Sequence, residues 1–506
     1  FFQAEDGIRD PLWSRGLGDV YKRQTSSRAI VFDTNGNIVS TAHKELTQIY
    51  PNDGWLEHDP EEIWSSTLSV TRKAISEAIS RGYKVSGIGI TNQRETSIIW
   101  DRSNGKSIYN AIVWQDRRTS KICEKIRKSE KAQEIQKSSG LLIDPYFSAT
   151  KISWILDNVP GARKRAEIGE LAFGTVESFL IWRLTGGKKH ISDATNASRT
   201  SLYNIENGDW DDSLLSIFNV PKSILPEVVE CAGLLGQTTT EIGYSLPILS
   251  AIGDQQSAAI GQACTEPGAI KATFGTGCFV ILNTGEKRLH SNNCLLSTIG
   301  LKLDGKTSFA LEGSIFNAGT VVQWLRDDLK VLKNAKDSAK IADSITSNHG
   351  VYIVPAFTGL GAPWWDPDAR GAIYGITRDT SRAQFVRAAL ESVAYQTNDL
   401  FNAMSQDGIK PLLLKVDGGM AENNWLMQFL SNILGINVER PKVLETTALG
   451  AAMLAALADG CFSDIKDATK AWHLDARFTP TLLPSQTKVL IDGWSVALKK
   501  TLFSSQ

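Results

Sequence analysis

Arg94 and Glu95 stand side by side in the stretch "NQRET". One of these side chains can only donate hydrogen bonds, and the other, when ionised, can only accept them. Such a neighbouring pair is ordinarily a surface ion pair of small energetic weight. At the end of a strand it also offers a small polar molecule a fixed donor beside a fixed acceptor. A second carboxylate, Asp254 in "AIGDQQ", follows an apolar run and a glycine. There the C-terminal edge of a strand presents side chains to a crevice. Capping the helix that follows is the plainer role for an aspartate so placed. A third pattern recurs in "AIGDQQSAA", "TFGTGCF" and "VDGGMAENN": an apolar strand, small residues, then a helix or second strand. Glycine lets the backbone approach a ligand closely and aim successive N–H groups at oxyanions. Thr276, between Gly275 and Gly277, adds a hydroxyl suited to a β- or γ-phosphate, and Gly418 with Gly419 leaves room for a flat base or ribose. One glycine pair after a strand is an ordinary reverse turn. Three in order point to phosphate chemistry.

The elements that must position these groups alternate from Thr25 onward between short apolar strands and longer amphipathic stretches. "AIVFDT" and "IVSTAHKEL" read as a hairpin turned at Asn35-Gly36, which supplies the positive φ such a turn needs. "DPEEIWSSTLSVTRKAISEAIS" reads as a helix opened by Asp59 and Pro60, with Glu61 and Glu62 in its first turn. "VSGIGIT" is a buried strand, "SKICEKIRKSEKAQEIQ" one charged surface helix, and "ESFLIWRLTGG" a helix stopped by glycine. A second series of strand, glycine turn and helix runs from "PILSAIGDQQSAAIGQ" to "ETTALGAAMLAALADG". Two related α/β domains facing each other across a cleft follow, one over residues 25–261 and one over 262–506. The six histidines are dispersed, and His43 and His58 read as structural.

The bulk numbers set the bounds. A chain of 506 residues exceeds one core. Its 42% hydrophobic and 22% charged residues are those of a soluble globular protein. A formal net charge of -1 advertises neither nucleic acid nor anionic membrane as a partner. No apolar run is long enough to span a bilayer. Six scattered cysteines form no CxxC pair, which speaks against structural zinc and disulfides and for reduced thiols in the cytoplasm. No well-placed GxGxxG follows a first strand, so dinucleotide binding is disfavoured, and a P-loop is not expected.

From Thr25 to its last helices the chain resembles the FGGY carbohydrate kinase family, and within it the kinases that act on glycerol. The resemblance rests on "GWLEHDPEEIW", "GITNQRETSIIW", "YNAIVWQDRRT", "IDPYFSATK", "DATNASRT", "GDQQSA", "TFGTGCF", "PAFTGLGAPWWDPDARG" and "ETTALGAA". It implies an α/β fold of two actin-like (ribonuclease H-like) domains facing each other across a nucleotide and substrate cleft. It also implies ATP-dependent phosphorylation of glycerol to sn-glycerol 3-phosphate in glycerol catabolism. In that setting Arg94 and Glu95 clamp glycerol hydroxyls, Tyr146 adds a hydroxyl, and Trp114 and Phe279 form an aromatic wall. Asp254 is the catalytic base, with Gln255 beside substrate or metal. Phosphoryl transfer needs little beyond positioning, metal and charge stabilisation. Thr276, Gly319 and Gln323 of "FNAGTVVQ", and Gly419 and Asn423 of "GGMAEN", touch ATP, as do Thr25, Ser26 and Arg28. Mg²⁺ bridges the phosphates largely through water, without direct protein ligands. The resemblance further implies a homo-oligomer, dimer or tetramer. The alternatives are another FGGY kinase, for a pentulose, hexulose or erythritol, and a non-catalytic actin-like nucleotide-binding protein.

The chain departs from the family at its first strand. That strand ends, in the family, in Asp-Gln-Gly-Thr-Thr-Ser-Ser-Arg, and here only Thr25, Ser26, Ser27 and Arg28 remain of it. Tyr21 occupies the aspartate position, Arg23 the glycine and Gln24 the first threonine. Residues 1–24, "FFQAEDGIRDPLWSRGLGDVYKRQ", show no strand or helix period and resemble a translated sequencing adapter or vector. They are read as a non-native extension, and the chain as impaired through a missing strand and carboxylate.

Overall fold

The computed structural model describes residues 2–3 and 26–503 of the chain. Thr25, Tyr21, Arg23, Gln24 and the rest of the 1–24 extension lie outside them, save Phe2–Gln3, which pairs antiparallel with Lys84–Val85.

Asp33 organises the first hairpin. Its carboxylate accepts from the amides of Asn35 and Asn37, both at 2.9 Å, while Gly36 takes φ +79°. Strand β1 (Ser26–Phe32) thereby folds back antiparallel on β2 (Ile38–Glu45). Helix α1 (Pro60–Ser80) starts where Asp59 accepts from the Glu61 amide and Pro60 pre-sets the first turn. It buries Ile63, Val70, Ala74, Ile75 and Ala78 on one face. Strand β3 (Ile88–Asn92) follows, and helix α2 (Val176–Leu184) stops at Gly186 and Gly187, both at positive φ. Strand β4 (Ala232–Gln237) pairs antiparallel with β5 (Pro247–Gly253), and β5 pairs parallel with β3. Buried from Ile248 onward, β5 runs straight into helix α3 (Asp254–Gly261).

The second half is built on one seven-stranded sheet. Its strands are β6 (Ile270–Phe274), β7 (Cys278–Gly285), β8 (Leu296–Leu303) and β9 (Lys306–Ile315). After helices α4 (Gly319–Asp327) and α5 (Arg382–Gln406) comes β10 (Leu413–Asp417). Helix α6 (Asn424–Leu434), β11 (Asn437–Pro441), helix α7 (Thr446–Ala458) and β12 (Leu474–Phe478) complete it, in the order β8-β9-β7-β6-β10-β11-β12. Its core gathers Phe274, Val280 and Leu311 from the sheet against Val393 and Tyr395 of α5 and Leu430 of α6. Ser381 and Gln384 close a capping box at the start of α5.

Helices α3 and α7 join the halves. A Cβ placed on Gly261 would lie 2.0 Å from the Thr446 carbonyl oxygen, and one on Gly450 1.9 Å from that of Ser257, so the two backbones touch. From this contact α7 reaches back over the first half, where Ser250 Oγ donates to the Ala451 carbonyl at 2.8 Å.

One sequence expectation changes. The stretch "SKICEKIRKSEKAQEIQ" forms two helices, Ser120–Arg127 and Lys131–Ser139. Ser129, in the break, turns its hydroxyl onto the Ile126 carbonyl, a local bond that competes with the helix. The spacing GxxxxGK[ST] does occur, as "GLKLDGKT" at 300–307, but these residues form the β8–β9 hairpin, with Leu303 opposite Lys306. A P-loop needs a helix there, and here β9 follows. Among the described residues no helix is long and apolar enough to cross a membrane.

Candidate active site

Arg94 leaves the end of β3 and is held on every side. Its Nη1 and Nη2 donate to the two oxygens of Glu312, at 2.6 and 3.0 Å. Nη2 also reaches the Tyr146 hydroxyl at 3.5 Å, and Nε lies 3.1 Å from Asp254 Oδ1. Glu95, at φ +60°, turns the other way and accepts from Arg199 Nε at 2.6 Å. Arg199 Nη2 donates to Glu312 at 2.9 Å. Two guanidiniums and three carboxylates thus share one network, with Glu312 supplied by β9 of the second half and the others by the first. Four of its members are 0–2% exposed, whereas the Asp254 side chain keeps 31% of its surface open. Asp254 is the most open member of the network, and Arg94 and Glu95 also line the cavity in front of it.

Electrostatics follows from this packing. Burial alone would raise the Glu312 carboxyl, but the Arg199 and Arg94 guanidiniums overcome it and hold its pKa down to about 2. Burial raises Glu95 against the pull of Arg94 and Arg199. It also raises Asp254, against Arg94 and Lys271. Lys271, fully buried on β6, is lowered by burial and donates to Gln255 Oε1 and to Thr273 Oγ1. Gly253 is the N-cap of α3 and Asp254 its first helical residue, so the capping role is not the one Asp254 plays.

A cavity of about 450 Å³ opens in front of Asp254. Its wall includes Arg94, Glu95, Gln255 and the rings of Trp114, Tyr146 and Phe279. Trp114 stands edge-on to Tyr146 at 5.4 Å and to Phe279 at 6.0 Å, a continuous aromatic side. The opposite wall is glycine backbone: Gly275 of the β6–β7 turn, and Gly418 and Gly419 after β10, next to Asp417. Gly418 sits at φ +84°, where a Cβ would fall 2.4 Å from the Phe274 carbonyl oxygen.

The remaining predicted nucleotide residues stand behind that wall. Gly319 donates its amide to the Gly275 carbonyl at 3.0 Å, and the Thr276 carbonyl accepts from Ala318 and Thr320, so α4 fixes the turn from the rear. Gln323 is buried on α4, and its Oε1 has no partner among the described residues. Asn423 caps α6 through the Leu426 amide at 3.0 Å and donates to Ser338. Ser26 and Arg28 also line the cavity, Arg28 paired with Glu445 at 2.7 Å. Thr25 lies outside the described residues.

Sequence reasoning missed Arg199, Glu312, Lys271 and Asp417. Arg199 lies inside the "DATNASRT" motif, and Glu312 and Lys271 are lone charges within the apolar strands "FALEGSI" and "AIKATF". A charge in a fully buried strand calls for a partner, and that was the available signal.

Comparison with known proteins bears on the family and the fold. Residues 24–261 match the N-terminal domain of the FGGY family of carbohydrate kinases, and residues 270–458 its C-terminal domain. The chain is 54% identical over 477 residues to glycerol kinase 1 of Pseudomonas aeruginosa, covering 94% of this chain and 97% of that one. It is 55% identical over 478 residues to the glycerol kinase of Alteromonas mediterranea, with coverage of 94% and 97%. Among solved structures it superposes on Plasmodium falciparum glycerol kinase with ADP at a TM-score of 0.89 and 37% identity, covering 95% and 96% of the two chains. It matches gluconate kinase from Lactobacillus acidophilus at 0.85 and 20% identity, covering 95% and 96%, a likeness of fold alone. The expected two-domain α/β fold therefore holds, and the chain belongs to the FGGY family of carbohydrate kinases.

Proposed function

We propose that this protein transfers the γ-phosphoryl group of ATP to glycerol, giving sn-glycerol 3-phosphate. One observation carries the reading: Asp254, the open carboxylate of the buried network, faces the same cavity as the glycine turns at 275 and 418–419. The names of the three glycerol kinases given above agree with it.

The chain's own groups divide the work. Both Nη atoms of Arg94 are committed to Glu312, so its guanidinium is a fixed donor, and Glu95, steadied by Arg199, is a fixed acceptor for a second hydroxyl. Trp114 and Phe279 cover the carbon edge of the triol. Asp254 accepts the proton of the attacking hydroxyl as the new oxygen–phosphorus bond forms and the bond from the γ-phosphorus to the bridging oxygen of ADP breaks. A positioned base of this kind is worth about 10²–10⁴ in rate. Amides of Gly418 and Gly419 receive the phosphates, while the Gly275 amide closes its own turn on the Gly277 carbonyl at 2.9 Å. Asp254 and Asp417 both line the cavity, hard oxygen donors suited to a magnesium ion held through water. When bound there, that ion offsets phosphate charge.

In this reading residues 25–261 form the glycerol side and 262–506 the nucleotide side of a cytoplasmic homo-oligomer. The departure at 21–24 leaves turnover impaired. The test is glycerol-dependent ADP release by the full chain, with xylulose as the competing acceptor. Slow release with glycerol, lost in Asp254→Asn while ADP binding persists, is expected. Unchanged release in Asp254→Asn would remove the proposed base, and near-normal turnover of the unaltered chain would refute the impairment.

A further inference from the structure

Lys271 carries a charge that the folding of β6 does not call for. It is fully buried in that strand, where an apolar side chain would pack as well. Lys415 of β10 stands beside it in register, and like charges so placed repel. Among the described residues its ammonium donates only to neutral oxygens. These are Gln255 Oε1, Thr273 Oγ1 at 2.8 Å and, more weakly, the Phe279 carbonyl at 3.5 Å. A buried charge without a carboxylate partner is costly. The partners it does have, rather than the strand, explain its presence.

Gln255 is the partner that borders the cavity beside Asp254. An ammonium has donors only, so the carboxamide must turn its oxygen to Lys271. Its Nε2 has no partner among the described residues and is left to the cavity. The same contact occupies Oε1, the side-chain atom that could otherwise ligate a cation. Asp254, one residue earlier, accepts from the Gln255 backbone amide on Oδ1 at 2.7 Å. The start of α3 therefore presents an acceptor and a donor side by side. A hydroxyl placed between them gives its proton toward Asp254 while its oxygen accepts from Nε2. Thr273, two residues along β6 and so on the same face as Lys271, holds the ammonium from the strand that leads into the 275–277 turn. We propose that Lys271 is a positioning residue, locking the Gln255 carboxamide with its N–H donors toward the acceptor hydroxyl of glycerol. This rests on the reading that glycerol lies in front of Asp254, and not on the transfer step.

Two measurements on the full chain keep this proposal apart from the transfer reading: glycerol affinity by titration calorimetry, and glycerol-dependent ADP release. Lys271→Met is close in shape and removes a buried charge, a change that protein interiors often tolerate. It should weaken glycerol binding at least tenfold, while the Kd for ADP stays within twofold and thermal unfolding stays cooperative. Lys271→Arg, which keeps a donor-only cation, should recover most of that loss. Gln255→Leu should weaken glycerol binding by a similar factor. Adding Lys271→Met to Gln255→Leu should then change the affinity less than twofold, because no carboxamide is left to orient. Undiminished glycerol binding in Lys271→Met overturns the proposal, even where ADP release persists. An equal effect with and without Gln255, a larger change in ADP binding, or loss of cooperative unfolding assigns Lys271 to the fold alone and also overturns it. Glycerol binding that follows the expected pattern without any ADP release would sink the transfer reading and leave this proposal standing.

Discussion

At the residue scale Asp254 is pulled two ways. Burial lifts its carboxyl while Arg94 and Lys271 pull it down, and the net direction is up from the usual value of about 4. A base works only when ionised. The kcat/KM for glycerol should therefore fall as pH drops through a value above that of an ordinary aspartate, and level off at higher pH. Arg94→Gln removes the nearest cation and should move this acid limb further up. A limb at or below pH 4 in the unaltered chain would contradict the assignment. Glu312 behaves oppositely. Its pKa of about 2 lies below the unfolded value, so its contribution to stability is full above about pH 4.3 and is lost as pH falls toward 2. Glu312→Gln strands two guanidiniums in the interior and should cost about 3–5 kcal/mol by urea denaturation at pH 7. The gap to wild type should narrow below pH 4.

At the element scale the glycine turns explain how loops hold a shape that side chains would spoil. Gly418→Ala meets both a left-handed φ and the Phe274 carbonyl oxygen. It should cost about 1–3 kcal/mol and weaken ADP binding in a calorimetric titration, leaving the aromatic wall intact. This is also the scale at which the sequence was most legible. Asn35-Gly36, Asp59-Pro60 and the turn at 275–277 carry local signals, and each element starts or turns where those residues stand. Less legible were features settled at long range. Arg199 meets Glu95 across 104 residues and Glu312 across 113, and no local pattern encodes such a meeting. The spacing at 300–307 shows the converse: a motif matched in letters whose chain context is a hairpin.

At the scale of the whole molecule, the halves meet through two different devices. One is the bare backbone crossing of α3 and α7 at Gly261 and Gly450. The other is Glu312, which takes hydrogen bonds from Arg94 and Arg199 across the base of the cleft. The pairing of Glu312 with both guanidiniums works as a rivet. Ions in solution screen surface charges but barely reach charges sealed from water. A protease cut at the exposed Glu266-Pro267 turn should therefore leave the two fragments travelling together through gel filtration, even in high salt. Their separation at neutral pH would mean that the rivet does not hold. Any breathing of the protein is then confined to the rim, much as a clothes-peg opens at its jaws around a fixed spring.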